Sequence, residues 1–326
     1  GTTWLIKTLN AHPDVAAFGE TQFWGRAYVQ PDAQGFYGPE QLALVAVHLK
    51  RSLSRSLAAI GNGPGCLEAL KPEGVDAFVE GFVATLTPPL TPAEVFARLC
   101  GAIAAAEGKE FCVEKTPHHV NWLDRIWAAL PAARLVLMTR EPYGFALSYK
   151  HVRGSKGPGA GRRFEGMYHP LGCALVWRTS LRAALRARSL RPGQVLMLDL
   201  ADVRADEAGA LRRVQAFLGL SPAEIVDSVP PDNTSFPGGE KPELLPEDVV
   251  WINLVCRREM ARMGMARRPS GFAPWRVLLS VLRLPPWGVR KAMDLHRRSA
   301  GSTLNYIWRW LCPFRPRNEE RAQNDT

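Results

Sequence analysis

Nowhere in these 326 residues does an apolar run reach the ~18–20 residues that a bilayer-spanning helix needs, which argues against a helical membrane protein. Six cysteines, Cys66, Cys100, Cys112, Cys173, Cys256 and Cys312, form no C-x-x-C pair, and no histidine stands at zinc spacing. A metal site is therefore not expected, and nothing demands an oxidising compartment. No internal repeat is present, so a solenoid is excluded. The first 256 residues also lack a charge excess: 26 Lys and Arg stand against 26 Asp and Glu. A basic nucleic-acid-binding core is excluded by that balance. The whole net charge of +10 comes from residues 257–326, with 15 basic and 5 acidic side chains.

What is present is enough apolar content, 46%, to bury one good core. Short apolar runs alternate with helical periodicity. Val15–Phe18, Phe111–Val113, Arg134–Met138 and Gln194–Leu198 read as strands. Helices are expected at about 40–60, 120–130, 142–152, 171–189, 211–220 and 249–263, with another starting at Ser221. Thr91, Pro92 and Glu94 spell a capping box at the head of a further helix. Alternation of this kind argues for βαβ units around a parallel sheet, a three-layer α/β/α fold. Residues 25–110, with a Gly-Asn-Gly-Pro-Gly turn at 61–65, carry the least recognisable pattern and are expected to shape an acceptor pocket.

The most informative stretch is the first. Gly1-Thr2-Thr3-Trp4-Leu5 runs a glycine and two hydroxyls straight into an apolar-periodic helix that Pro13 helps to end. The first amides of a helix have no internal partners and carry the positive end of its dipole, so this reads as the end of a phosphate-cradling loop. A strand and the first half of that loop, with a cationic residue, are expected upstream of Gly1, so the chain is read as N-terminally clipped. Three more motifs follow in order: Phe18-Gly19-Glu20-Thr21-Gln22-Phe23-Trp24, Val113-Glu114-Lys115-Thr116-Pro117, and Leu135-Val136-Leu137-Met138-Thr139-Arg140-Glu141-Pro142 with Ser148-Tyr149. Together with His12-Pro13-Asp14, they resemble the sulfotransferases that use 3′-phosphoadenosine 5′-phosphosulfate (PAPS), and their bacterial and carbohydrate-type branch more than the cytosolic phenol and steroid branch. That resemblance implies the P-loop-type sulfotransferase fold with a catalytic domain over residues 1–268.

Sulfuryl transfer needs a hold on the phosphosulfate, a positive charge for the bridging oxygen, and a base for the acceptor hydroxyl or amine. The resemblance assigns Gly1, Thr2, Thr3 and Trp4 to the donor nucleotide, Lys115 to the neighbourhood of the sulfate, and Arg140 with Ser148 to the 3′-phosphate. A guanidinium fork plus a hydroxyl is apt chemistry for a terminal phosphate. Glu20 is expected as general base. Its apolar neighbours Phe18, Phe23 and Trp24 would raise its pKa by desolvation. His118 and His119 are rival bases, and a Lys115–Glu114 surface pair is the alternative for the lysine. No metal is expected to be needed.

Other features are softer. Lys150, Arg153, Lys156, Arg162 and Arg163, set among glycines with no acid, suit either a lid over an anionic cofactor or acceptor or a merely solvated loop. Residues 233–241 resemble the family's late cofactor loop. A P-loop kinase is the enzymatic rival, because Val195–Asp199 mimics a Mg²⁺-holding strand end; Thr2, where a Walker loop has Lys, opposes it. A peripheral membrane protein with a decayed nucleotide site is the non-enzymatic rival. The tail, 269–326, places Arg276, Ser280 and Arg283 on one helical face and Trp, Leu and Val on the others, then continues through Pro285-Pro286 to Trp308-Arg309-Trp310. Basic, Trp-bearing helices suit an anionic membrane surface, and packing on the protein or on a second subunit is the alternative. The chain is expected in the cytoplasm, with its tail at the membrane surface. Its acceptor is expected to be a small molecule, carbohydrate or lipid.

Overall fold

The computed structural model describes residues 1–60, 71, 74–151, 168–225, 243–298, 304 and 307–309. The turn at 61–65, Arg153 to Arg163 of the basic loop, the loop 233–241 and the tail from Trp310 lie outside the described residues. Two compact units divide the chain.

The first unit comprises Gly1–Leu135, Asp206–Asn233 and Arg298–Ser302. It opens with α1 (Thr2–Asn10), which turns at residues 11–14 into β1 (Val15–Gly19). His12 closes that turn and is fully buried. The Asp14 N–H donates to its Nδ1 at 3.1 Å, so the ring proton sits on Nε2 and is donated to the Ser221 carbonyl at 2.9 Å. Lys109 adds a cation there, donating to the carbonyls of Asn10, His12 and Val15. The His-Pro-Asp motif thus serves the turn, not the chemistry.

β1 is buried along its whole length and pairs in parallel with β2 (Phe111–Lys115), in a register that sets Gly19 beside Lys115. A strand buried on both faces reads as a continuous apolar run, as Val15–Phe18 does. Between these strands lie α2 (Pro39–Ile60), α3 (Val75–Ala84) and α4 (Pro92–Ala106). The capping box of α4 forms as read: the Thr91 hydroxyl accepts from the Glu94 N–H, and Glu94 accepts from the Thr91 N–H. After β2 a 3₁₀ turn, Pro117–Trp122, precedes α5 (Leu123–Ala129), so the helix expected from Val120 starts later, the 3₁₀ geometry filling its first turn.

The second unit, Val136–Ala205, Thr234–Arg297 and Thr303–Thr326, takes over within β3 (Leu135–Thr139). It contains α6 (Pro142–Lys150), α7 (Pro170–Leu190), β4 (Val195–Asp199), paired with β3, and α8 (Leu200–Ala205). The chain then supplies α9 (Glu207–Leu218) to the first unit, ended by Gly219 at φ 76°, where glycine has no Cβ to clash. Back in the second unit are α10 (Pro246–Val255), α11 (Arg257–Arg262), α12 (Pro274–Leu282) and α13 (Leu284–Arg298). The single helix expected at 249–263 is two, divided at Cys256. The helical start expected at Ser221 is absent over 221–225, whose carbonyls at Ser221 and Ala223 accept from His12 and Gln215 instead. The described architecture is mixed α/β with parallel pairing, as the alternation implied.

Candidate active site

Helix α1 lies against both β1 and β2. A helix and a strand joined by a four-residue turn and packed together run antiparallel, and their lengths match at roughly 13–17 Å each. The α1 N-terminus therefore stands at the carboxyl end of β1, where an α/β sheet presents its ligand crevice. Gly1 is the N-cap; no side chain caps this end and no acid occupies the first turn. Thr2, Thr3 and Trp4 are part-exposed there, and the Trp4 indole N–H is buried without a hydrogen-bond partner.

Glu20 follows β1 directly, and Lys115 ends β2. The register brings them together: Lys115 Nζ donates to Glu20 Oε1 at 2.8 Å. Gly19 permits this approach, since a Cβ there would lie 2.8 Å from the Lys115 carbonyl oxygen and 3.1 Å from Cε. The lysine is 13% exposed and the glutamate 36%, so the pair is sheltered on one side and open on the other. Burial pushes the Glu20 carboxyl up, but the charge and hydrogen bond of Lys115, helped by His118, hold it below its ordinary value. The raised pKa expected from apolar neighbours is thus overturned by the ion pair.

Glu114 does not pair with Lys115. Successive strand residues face opposite ways, and Glu114 turns inward as the hub of a buried network. Its Oε1 accepts from the Thr21 N–H (2.9 Å), the Thr21 hydroxyl (2.7 Å) and the Thr116 hydroxyl (2.5 Å), while Oε2 lies 3.2 Å from His119 Nδ1. Burial works against the charge, yet His119 and the hydroxyl donors hold the carboxyl at about 2. His119 Nε2 accepts from the Trp24 N–H at 3.3 Å, so this ring is engaged at both nitrogens and is no candidate base. His118 is part-exposed.

The network pins the segment after Glu20, and in it stands a residue that the sequence did not reveal. Gln22 has φ 58°, a left-handed conformation that costs roughly 1–3 kcal/mol in a residue of its kind and is commonest at functional sites. Its carbonyl accepts from Gly25 and Ala27, its N–H donates to Thr116, and its side-chain N–H donates to Glu20 Oε2 at 3.3 Å. The other end of the same amide, Oε1, is buried without a partner. No sequence signal announces a left-handed Gln. Alternation along β2 could have announced the Glu114–Thr116 face.

The second unit carries Arg140 and Ser148. Arg140 follows β3, and its carbonyl accepts from the Trp177 indole at 2.8 Å. The guanidinium lies over the first turn of α6: a Cβ on Gly144 would come within 2.9 Å of Nε and Nη2. Ser148, four residues beyond Gly144, shares that helix face. Glu141 caps the helix itself, accepting from the N–H groups of Tyr143 and Gly144. Burial and then the charge of Arg204, on α8, depress Arg140. The Glu141 carboxylate opposes them, so Arg140 stands between a second guanidinium and an acid. Arg204 is 64 residues away in sequence and nothing there linked it to Arg140.

Other expected residues are elsewhere employed. Lys150 donates to the buried Asp248 carboxylate at 2.6 Å, so it is no part of a lid. Asp199, the strand-end acid of the kinase reading, accepts from the Thr139 hydroxyl and caps the start of α8 through the Ala201 N–H. Among the described residues, no cluster of three or more His, Cys, Asp or Glu side chains is placed to hold a metal ion.

No curated protein matches the chain. A solved structure, the sulfotransferase domain of an olefin synthase from Synechococcus PCC 7002, is similar at 22% identity and a TM-score of 0.46, over 73% of this chain and 80% of that one. The model of the Sulfotransferase family matches residues 1–224. That match takes in the α1 N-terminus, the Glu20–Lys115 pair and the Arg140–Ser148 helix face, and the chain belongs to the sulfotransferase family.

Proposed function

We propose that the chain transfers a sulfuryl group from PAPS to a hydroxyl or amine of its acceptor, with Glu20 as general base. The observation that carries this reading is the Glu20–Lys115 pair at neighbouring strand ends, beside a helix whose own first turn carries no acid. Gly1, Thr2, Thr3 and Trp4 hold the phosphosulfate; Arg140 and Ser148 hold the 3′-phosphate.

In the reaction, the acceptor oxygen or nitrogen forms a bond to sulfur while its proton passes to the Glu20 carboxylate. The bond from sulfur to the bridging oxygen breaks, and its electron pair stays on the departing 5′-phosphate of adenosine 3′,5′-bisphosphate. Lys115 steadies that charge. Its ammonium cannot serve the phosphosulfate and Glu20 equally well. As it turns toward the sulfate, Glu20 loses the partner that depresses its pKa, burial prevails, and the carboxylate becomes a stronger base when the donor is in place.

Calorimetric titration tests the cofactor. Adenosine 3′,5′-bisphosphate should bind at least about tenfold tighter than ATP, with or without Mg²⁺, as two extra charge-assisted hydrogen bonds imply. Preference for Mg²⁺-ATP would move the reading to phosphotransfer.

A further inference from the structure

Helix α12 is inside out. An amphipathic helix of a water-soluble domain turns its apolar stripe to the core and its polar residues to water. Here Trp275, Leu278, Leu279 and Leu282, spaced i, i+3, i+4 and i+7, are 58, 60, 40 and 63% exposed, and Phe272 just before the helix is 96% exposed. The residue α12 buries is a serine, Ser280. Its hydroxyl accepts from the Trp251 indole at 2.8 Å and donates to the Val277 carbonyl, and its own carbonyl accepts from His169 Nε2 at 2.9 Å. Arg276 adds an ion pair to Glu247 at 3.8 Å. These polar contacts fix the rotation of the helix, so turning the leucines inward would break them. The outward stripe is held in place by the fold.

The chain around it is basic. No acidic side chain occurs from 261 through 293, a span that holds Arg262, Arg267, Arg268, Arg276, Arg283, Arg290 and Lys291; Arg268 and Arg276 pair with Glu141 and Glu247, each at 3.8 Å, and the span keeps a positive excess. Arg276 lies over the ring of Trp275 at 4.9 Å, an arrangement that keeps the charge at the rim while the ring enters an apolar phase. On the next helix Val289 and Met293 are exposed as well. No helix among the described residues is long and apolar enough to cross a membrane. An apolar stripe rimmed by arginines fits the boundary between acyl chains and anionic headgroups, into which such helices sink by roughly 5–10 Å.

We propose that α12, with the start of α13, docks the protein on an anionic membrane surface, and that Trp275, Leu278, Leu279 and Leu282 are the inserted side chains. This rests on the exposed stripe and its charge, and stands whatever the reaction is.

Flotation of the 326-residue chain tests it. The chain should float with vesicles containing phosphatidylglycerol and remain below with pure phosphatidylcholine. Raising the salt should weaken the partition about tenfold or more, as several phosphate-facing cations require. The double variant Leu278→Ser/Leu282→Ser should lose at least about tenfold in partition, with unfolding temperature and nucleotide binding unchanged because both side chains are exposed. Arg283→Glu/Arg290→Glu should lose as much while keeping the apolar stripe. Equal flotation on both vesicle types, or wild-type flotation by both variants, would overturn the proposal. So would a dimer in sedimentation velocity that becomes a monomer in the leucine variant, since the stripe would then belong to a second copy.

Discussion

At the scale of single residues, the candidate site turns on which of two neighbouring glutamates pairs with Lys115. Glu20 and Glu114 both border Lys115, but only Glu20 is bonded to it; Glu114 is spent on two threonines and His119. Glu20→Gln should therefore cut turnover about 10²–10⁴-fold and leave nucleotide affinity nearly intact. Lys115→Met should lower turnover and also shift the acid limb of the kcat/KM profile, which reports the free enzyme, to higher pH, because burial, the largest influence on Glu20, then loses its main opponent. An acid limb left in place would show that Lys115 does not tune that carboxylate. Glu114 yields a different signature. Its folded pKa of about 2 lies below the ordinary 4.5, so its charge stabilises the fold above that ordinary value and ceases to do so as pH falls through the folded one. Glu114→Gln should cost about 1–3 kcal/mol at neutral pH, and the gap from wild type should close between pH ~5 and ~2. Urea unfolding of both proteins across that window would detect a gap that fails to close.

At the scale of elements, the parallel pairing of β1 with β2 is what converts two distant motifs into one site. Gly-Glu at 19–20 and Glu-Lys-Thr-Pro at 114–117 are 95 residues apart, and the register sets Gly19 beside Lys115. The strands approach too closely there for any side chain at position 19. Gly19→Ala should cost about 1–3 kcal/mol from overpacking and should lower turnover more than its stability loss explains, because the added methyl meets the Lys115 stem as well as its carbonyl. Thermal unfolding compared with kcat separates the two effects, and full turnover in a destabilised variant would release Gly19 from this role. In the second unit, Gly144 does the same service for Arg140, opening the first turn of α6 to its guanidinium.

At the scale of the whole molecule, charge is unevenly distributed along the chain. The first 256 residues are balanced in charge, and the later excess gathers around a helix whose apolar stripe faces outward. Ligand binding should register globally too. On the proposed function, adenosine 3′,5′-bisphosphate at about 100 times its Kd should stabilise the folded state by about 2.7 kcal/mol, enough to raise the unfolding temperature by several degrees. Arg140→Ala should remove most of that rise for the bisphosphate and little of the smaller rise given by adenosine 5′-monophosphate. Equal losses for both nucleotides would detach Arg140 from the 3′-phosphate.

Much was legible in the sequence because it is local. Periodicity located β1 to β4 within two residues; Thr91-Pro92-Glu94 announced its own cap; the motif residues Glu20, Lys115 and Arg140 stand at strand ends, where short apolar runs stop and polar side chains begin. What the sequence could not supply is anything set by long-range contact. The direction of the Glu20 pKa depends on an ion pair made across a strand register, and against that charge the apolar neighbours lose. The engagement of His119, the proximity of Arg204 to Arg140 and the left-handed turn at Gln22 all require a partner from elsewhere in the chain. So does the sense of α12. A helical wheel separates its leucines from Ser280, but only Trp251 and His169 decide that the serine faces in, because buried polar groups must find partners and the leucines have no such constraint.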